Sequence, residues 1–181
     1  MARRVFQLRV TLDDVAPLVW RQVLVPAAYT LDRVHRVIQL AMGWEDCHLH
    51  SFEIDGVQYG EPDPDEGLPL LDELDYRLDE VAGPGARMCY VYDFGAWWEH
   101  EVAVEDVRAA DPLTRYPVCV AGERACPPED VGGPEGYAEF MTAIGDPAHP
   151  RHIAMWDWIG RPYDPAEFHA DRVTTLLRRL T

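Results

Sequence analysis

Three histidines are spaced for metal chemistry. His48 and His50 stand two residues apart in the alternating run from His48 to Ile54, and a strand sends such a pair to one side. His100 lies in a second alternating run. There Trp98, His100, Val102 and Val104 share one face, and Trp97, Glu99, Glu101, Ala103 and Glu105 share the other. Three imidazoles with a fourth position open to water form a catalytic metal set. His48, His50 and His100 are therefore candidate ligands for a divalent metal such as zinc. Asp93, Glu129 and Asp130 offer carboxylates to orient the rings or complete the coordination. Tyr92 and Trp98 would wall the same pocket. The plainer alternative bonds each histidine separately at the rim of an aromatic core, makes Tyr90, Tyr92, Trp97 and Trp98 core residues, and needs no cofactor.

The cysteines add little chemistry. Cys47, Cys89, Cys119 and Cys126 show no CxxC pair and read as reduced thiols. Cys126 opens the run Cys126-Pro127-Pro128-Glu129-Asp130. Two prolines make that a rigid loop, and no neighbouring base marks Cys126 as a nucleophile. Asp63-x-Asp65-x-Gly67 echoes half a calcium loop, but Pro62 and Pro64 interrupt it and the bidentate Glu is missing.

The elements that must position these residues follow from pattern. Residues 5–12 alternate with Phe6, Leu8, Val10 and Leu12 on one face, and 18–25 form a second strand that ends at Pro26. Together they make an antiparallel hairpin. Thr30 is a good N-cap for a helix over 31–42, with Leu31, Val34, Ile38, Ala41 and Met42 on its apolar stripe and Gly43 closing it. His35 falls near the opposite face and is expected to be exposed. Residues 48–54 and 57–59 form a hairpin through Asp55-Gly56. Residues 61–75 hold 7 acids, 3 prolines and no cation, the composition of a solvated acidic loop. A hairpin around Asp93-Phe94-Gly95 follows. A loop dense in Pro and Gly then leads to helical segments from Pro134, near 149–159, and from Asp164. Asp164-Pro165-Ala166-Glu167 has a capping-box pattern.

This order gives a single α+β domain over 1–181. It has a mainly antiparallel sheet, a β-grasp-like ββαβ start, and a helical C-terminal part over 134–181 packed on the sheet.

Net charge is −16 and every cation is Arg. Residues 61–111 hold 15 acids against 3 Arg. Without a basic stripe, direct duplex DNA binding and anionic membranes are both disfavoured. No apolar run reaches the roughly 20 residues of a membrane span. The N-terminus has no signal-type segment, so a cytoplasmic location is expected. Oligomeric state has no sequence signature here.

Four segments together resemble the plasmid pRiA4b ORF-3-like family, a domain of unknown function met on plasmids and in transposable elements. They are HLHSFEIDGVQYG, YDFGAWWEHEV, YPVCVAGERACPPEDVGGPEGYAEF and DPAHPRHIAMWDWIGRPYDPAEF. The resemblance spans Phe6 to Phe168, and its most specific part is residues 126–137. It implies an α+β fold and no agreed activity. Ala96 stands where the family pattern usually has Asp. Some members carry a resolvase-like label, but no recombinase signature is present here.

Two functional readings follow. One is a non-enzymatic binding module that offers an aromatic and acidic groove to a small ligand or a basic protein partner. The other is a metal-dependent hydrolase built on the histidines.

Overall fold

The computed structural model of the chain describes residues 3–62 and 69–180. The Asp63-x-Asp65-x-Gly67 echo lies outside them. Eight strands form one sheet, in the order β5-β4-β3-β6-β7-β1-β2-β8. The strands are β1 Arg4–Leu12, β2 Val19–Pro26, β3 His50–Ile54, β4 Val57–Gly60, β5 Leu71–Asp72, β6 Arg87–Tyr92, β7 Trp98–Ala109 and β8 Val118–Glu123. All neighbours are antiparallel except β4 and β5, which run parallel. The helices are α1 Leu31–Met42, α2 Leu78–Val81, α3 Gly133–Gly145, α4 His152–Ile159 and α5 Ala170–Leu177. The chain is therefore an α+β fold with a ββαβ start and C-terminal helices packed against the sheet.

Alternation assigns the two faces of the sheet. Phe6, Leu8, Val10 and Leu12 pair across with Val25, Val23, Arg21 and Val19. On the other side Leu8, Val10 and Leu12 meet Val104, Val102 and His100. This inward face continues through Tyr90, Tyr92 and Phe52, and all its apolar members are buried. Helix α1 lies over it. The opposite face is polar: Gln7 and Gln22 both donate to Glu105, Arg87 pairs with Glu101, and the Arg9 guanidinium lies 3.9 Å over the Trp20 ring.

The edges are dealt with locally. In the β2–β8 ladder Gln22 meets Ala121 while Val23 meets Cys119, so Val120 is an extra residue that bulges outward. Thr174 of α5 bonds both the N–H and the carbonyl of Cys119, which closes that part of the edge to another strand.

Two expectations are corrected. The acidic stretch is not a loop throughout. Leu71 pairs with Tyr59, and a one-turn 3₁₀ helix spans Glu73–Asp75, with Glu73 buried against His50. The last helix begins at Ala170, not at Asp164. Asp164 Oδ1 instead accepts the Ala166 N–H at 2.9 Å in a tight turn. After that turn Phe168 reaches the sheet, its ring against the Arg21 guanidinium.

Candidate functional site

Two chain segments bring carboxylates to His48, and a third holds them in place. After α1 the chain crosses the end of β6. Trp44 is buried there, stacked on Tyr92 at 4.9 Å and donating its indole N–H to the Pro127 carbonyl at 3.1 Å. That bond ties the 126–130 loop to the helix exit. Glu129 is fixed more tightly. Its Oε1 accepts the Glu45 N–H at 2.8 Å and the Tyr92 hydroxyl at 3.1 Å. Asp93 opens the β6–β7 turn, and its Oδ1 accepts the N–H groups of Gly95 and Ala96. The remaining oxygens face one imidazole. From His48 Nε2, Asp130 Oδ1 lies at 3.1 Å, Asp93 Oδ2 at 3.8 Å and Glu129 Oε2 at 3.9 Å. All three are acceptors, so Nε2 carries a proton. Two donor sets have ligand atoms within 4.8 Å of one another: His48, Asp93 and Asp130, and Cys47, His48 and Glu129. Imidazole with carboxylate oxygens suits a divalent cation. Of the residues expected from sequence, His48, Tyr92, Asp93, Glu129 and Asp130 thus come together.

The three histidines do not share a centre. Neither donor set includes His50 or His100. Strand β6 lies between β3 and β7, which separates their backbones by about 9.5 Å. Tyr90 fills the gap, with ring centroids 6.0 Å from His50 and 5.3 Å from His100. His50 Nε2 bonds Glu73 at 2.8 Å. His100 is fully buried and donates from Nδ1 to the Tyr90 carbonyl at 3.1 Å, while its Nε2 has no partner among the described residues. Burial pushes His100 down to about 4, so it is neutral. His48 precedes β3 rather than belonging to it, so strand alternation does not govern it. Trp98 is wholly buried in the core.

A second polar network was not legible in sequence. His35 is 3% exposed rather than solvated, because it lies on the sheet-facing side of α1, against Tyr90 and His50. The Tyr90 hydroxyl donates to His35 Nδ1 at 2.8 Å and accepts from Gln39 Nε2 at 3.0 Å. His35 Nε2 donates to Asp46 Oδ1 at 2.7 Å, and Gln39 Oε1 accepts the Asp46 N–H at 3.1 Å. A neutral His35 satisfies every one of these bonds. Its ring stacks on His50 at 3.4 Å. Burial, then the His50 charge, depress His35 to about 4. The i, i+4 spacing of His35 and Gln39 was the available signal.

A groove of about 490 Å³ adjoins the His48 cluster. Its walls are the end of α1, the 125–130 loop and residues 158–176. Glu129 and Asp130 belong to both sites. Trp158, Tyr163 and Phe168 give the groove its aromatic surface, and Arg21, Arg161 and Arg172 its positive charge. Cys126 also lines it, but burial raises its thiol well above the ordinary range, which leaves no thiolate nucleophile. The four cysteines are all unpaired.

A 43% identical relative, covering 92% of this chain and 87% of its own length, is an uncharacterized protein, y4hQ, of Sinorhizobium fredii (strain NBRC 101917 / NGR234). A crystal structure of the protein of unknown function MM3350 from Methanosarcina mazei Go1 has a TM-score of 0.87 at 32% identity, covering 94% of this chain and 98% of that one. The family model for plasmid pRiA4b ORF-3-like proteins matches residues 4–172. With that match over nearly its whole length, this chain belongs to the plasmid pRiA4b ORF-3-like family.

Proposed function

We propose that the chain is a non-enzymatic binding domain whose acidic mouth, around His48, takes the cationic group of a small ligand or basic protein partner. The convergence on His48 supports this most. Three carboxylates from two separate segments approach one imidazole within 3.9 Å. In the ion pairs among the described residues they meet no arginine. Gathering like charges is unfavourable unless a cation joins them. The adjoining groove has the size of a small-molecule site.

Calorimetric titration with an arginine-rich peptide and with zinc and manganese tests the reading. The peptide is expected to bind, and Asp130→Asn to weaken it by about tenfold, or ~1.4 kcal/mol. Peptide binding unchanged in Asp130→Asn and His48→Ala, or no binding at all, would defeat it.

The mixed donor set of His48, Asp93 and Asp130 favours a second reading, a metal-dependent hydrolase. Stoichiometric metal in protein purified without an affinity tag, lost in His48→Ala, would favour it. A water bound to that metal would then be the nucleophile.

A further inference from the structure

Arg21 is a buried cation without a counter-ion. It is 2% exposed and forms no ion pair among the described residues. β2 points it inward, opposite Gly122 of β8. Its Nε donates to the Ala41 carbonyl at 2.8 Å, near the end of α1. Its Nη1 donates to the Trp20 carbonyl at 2.8 Å and the Glu123 carbonyl at 2.9 Å. A guanidinium has five N–H groups, so the two left over are both on Nη2. Neither has an acceptor among the described residues. Yet among those residues the one side-chain polar atom both sealed from solvent and unpartnered is His100 Nε2. Arg21 Nη2 is therefore open, and the space it opens to is the groove that Arg21 lines.

Clasping three carbonyls explains Nε and Nη1. The negative end of α1 offsets part of the charge. Neither gives an acceptor to the free Nη2, which shares the delocalised charge and opens onto the groove, and an unpaired charge in a buried residue is costly. The surroundings hold the fork in place. Phe168 covers one face of the guanidinium at 4.4 Å. The titratable groups that act on it, Cys126, Cys119 and Tyr163, are kept protonated by burial and so supply no negative charge. Arg161 lines the same groove and has no ion pair among the described residues.

We propose that the floor of the groove is an oxyanion subsite, in which Arg21 Nη2 receives a carboxylate or phosphate group of the ligand. This deepens the reading of the groove as a binding site. A ligand spanning it presents its anionic end to Arg21 and its cationic end to Glu129 and Asp130, as a compact zwitterion does.

The test is NMR of the full chain labelled with ¹⁵N-arginine, observing the Nε–H signals. Acetate and inorganic phosphate are the probes, with sodium chloride at matched ionic strength as the control. The Arg21 signal is identified by its loss in Arg21→Lys. Should that variant fail to fold, it is identified by its cross-relaxation with the Phe168 ring, checked in Phe168→Leu. A saturable shift of the Arg21 signal by acetate or phosphate, absent with chloride, supports the subsite. Whichever probe acts names the anion. An Arg21 signal that moves no further with either probe than with chloride overturns it. Repeating the titration in His48→Ala separates the two readings. A retained Arg21 shift with peptide binding lost leaves both ends standing. In the unsubstituted chain, a silent Arg21 with peptide bound removes only the anion end, and an Arg21 shift without any peptide binding removes only the cation end.

Discussion

Buried imidazoles make this protein's stability depend on pH. His35 and His100 both lie near 4 in the fold, against an ordinary value of 6.5, with burial the main cause. Between those values the unfolded chain binds protons that the folded chain refuses, so stability rises with pH across the window. It is fully present above about pH 6.5 and is lost as pH falls towards 4. Each ring contributes on the order of 3 kcal/mol when fully titrated. Urea midpoints should therefore drop between about pH 7 and pH 5. His100→Leu should flatten that drop, since it removes one titrating ring. A midpoint constant over the range would show that the rings ionise in place. Sequence pattern had identified His100 as inward-facing, because the Trp98–Val104 alternation is unbroken. It could not show that Tyr90 would separate it from His50, since that depends on which strand lies between them. His35 escapes an apolar-stripe reading because it is polar, yet at helical spacing it shares the sheet-facing side of α1 with Leu31, Ile38 and Met42.

Close approach between elements depends on two glycines. A Cβ at Gly122 would lie 2.5 Å from Phe168 Cζ and 2.8 Å from the Trp20 carbonyl. The absent side chain is what lets Phe168 reach Arg21. Gly122→Ala is expected to destabilise by about 1–3 kcal/mol through overpacking. Adding Phe168→Leu should cost less than the two single changes summed, because the clash is shared. Strict additivity in denaturant titrations would place the strain elsewhere. At Gly133, with φ of +70°, a Cβ would lie 2.6 Å from the Ala96 carbonyl. The start of α3 therefore rests on the same turn that carries Asp93. Such contacts explain which elements were legible. The three hairpins β1–β2, β3–β4 and β6–β7 are local, and alternation with turn residues reveals them. The extent of α5 is not local. Asp164 to Glu167 has the composition of a helix start, but it closes into a turn and Phe168 docks on Arg21 instead. Glu129 and Asp130 were legible as rigid loop carboxylates. That they would meet His48 depends on Trp44 reaching Pro127, which no spacing rule contains.

The distribution of charge sets what the whole molecule can meet. With net charge −16 and Arg87 and Arg9 of the outer sheet face engaged by Glu101 and Trp20, weak duplex DNA binding is expected. A low-salt gel-shift titration should show no saturable complex below about micromolar protein. A discrete shifted band there would refute this. No helix among the described residues is long and apolar enough to cross a membrane. The order of strands was the least legible feature at this scale, because β1 sits between β2 and β7 and nothing near residues 4–12 names a partner almost a hundred residues away. That placement bears on how the chain is made. During synthesis the first strand to emerge can pair with β2 at once, but its other edge remains bare until residues 98–109 have left the ribosome. At translation rates of roughly 5–20 residues per second, the nascent chain carries an open, apolar strand edge for several seconds. The sheet cannot close around its own first strand until more than half of the polypeptide exists.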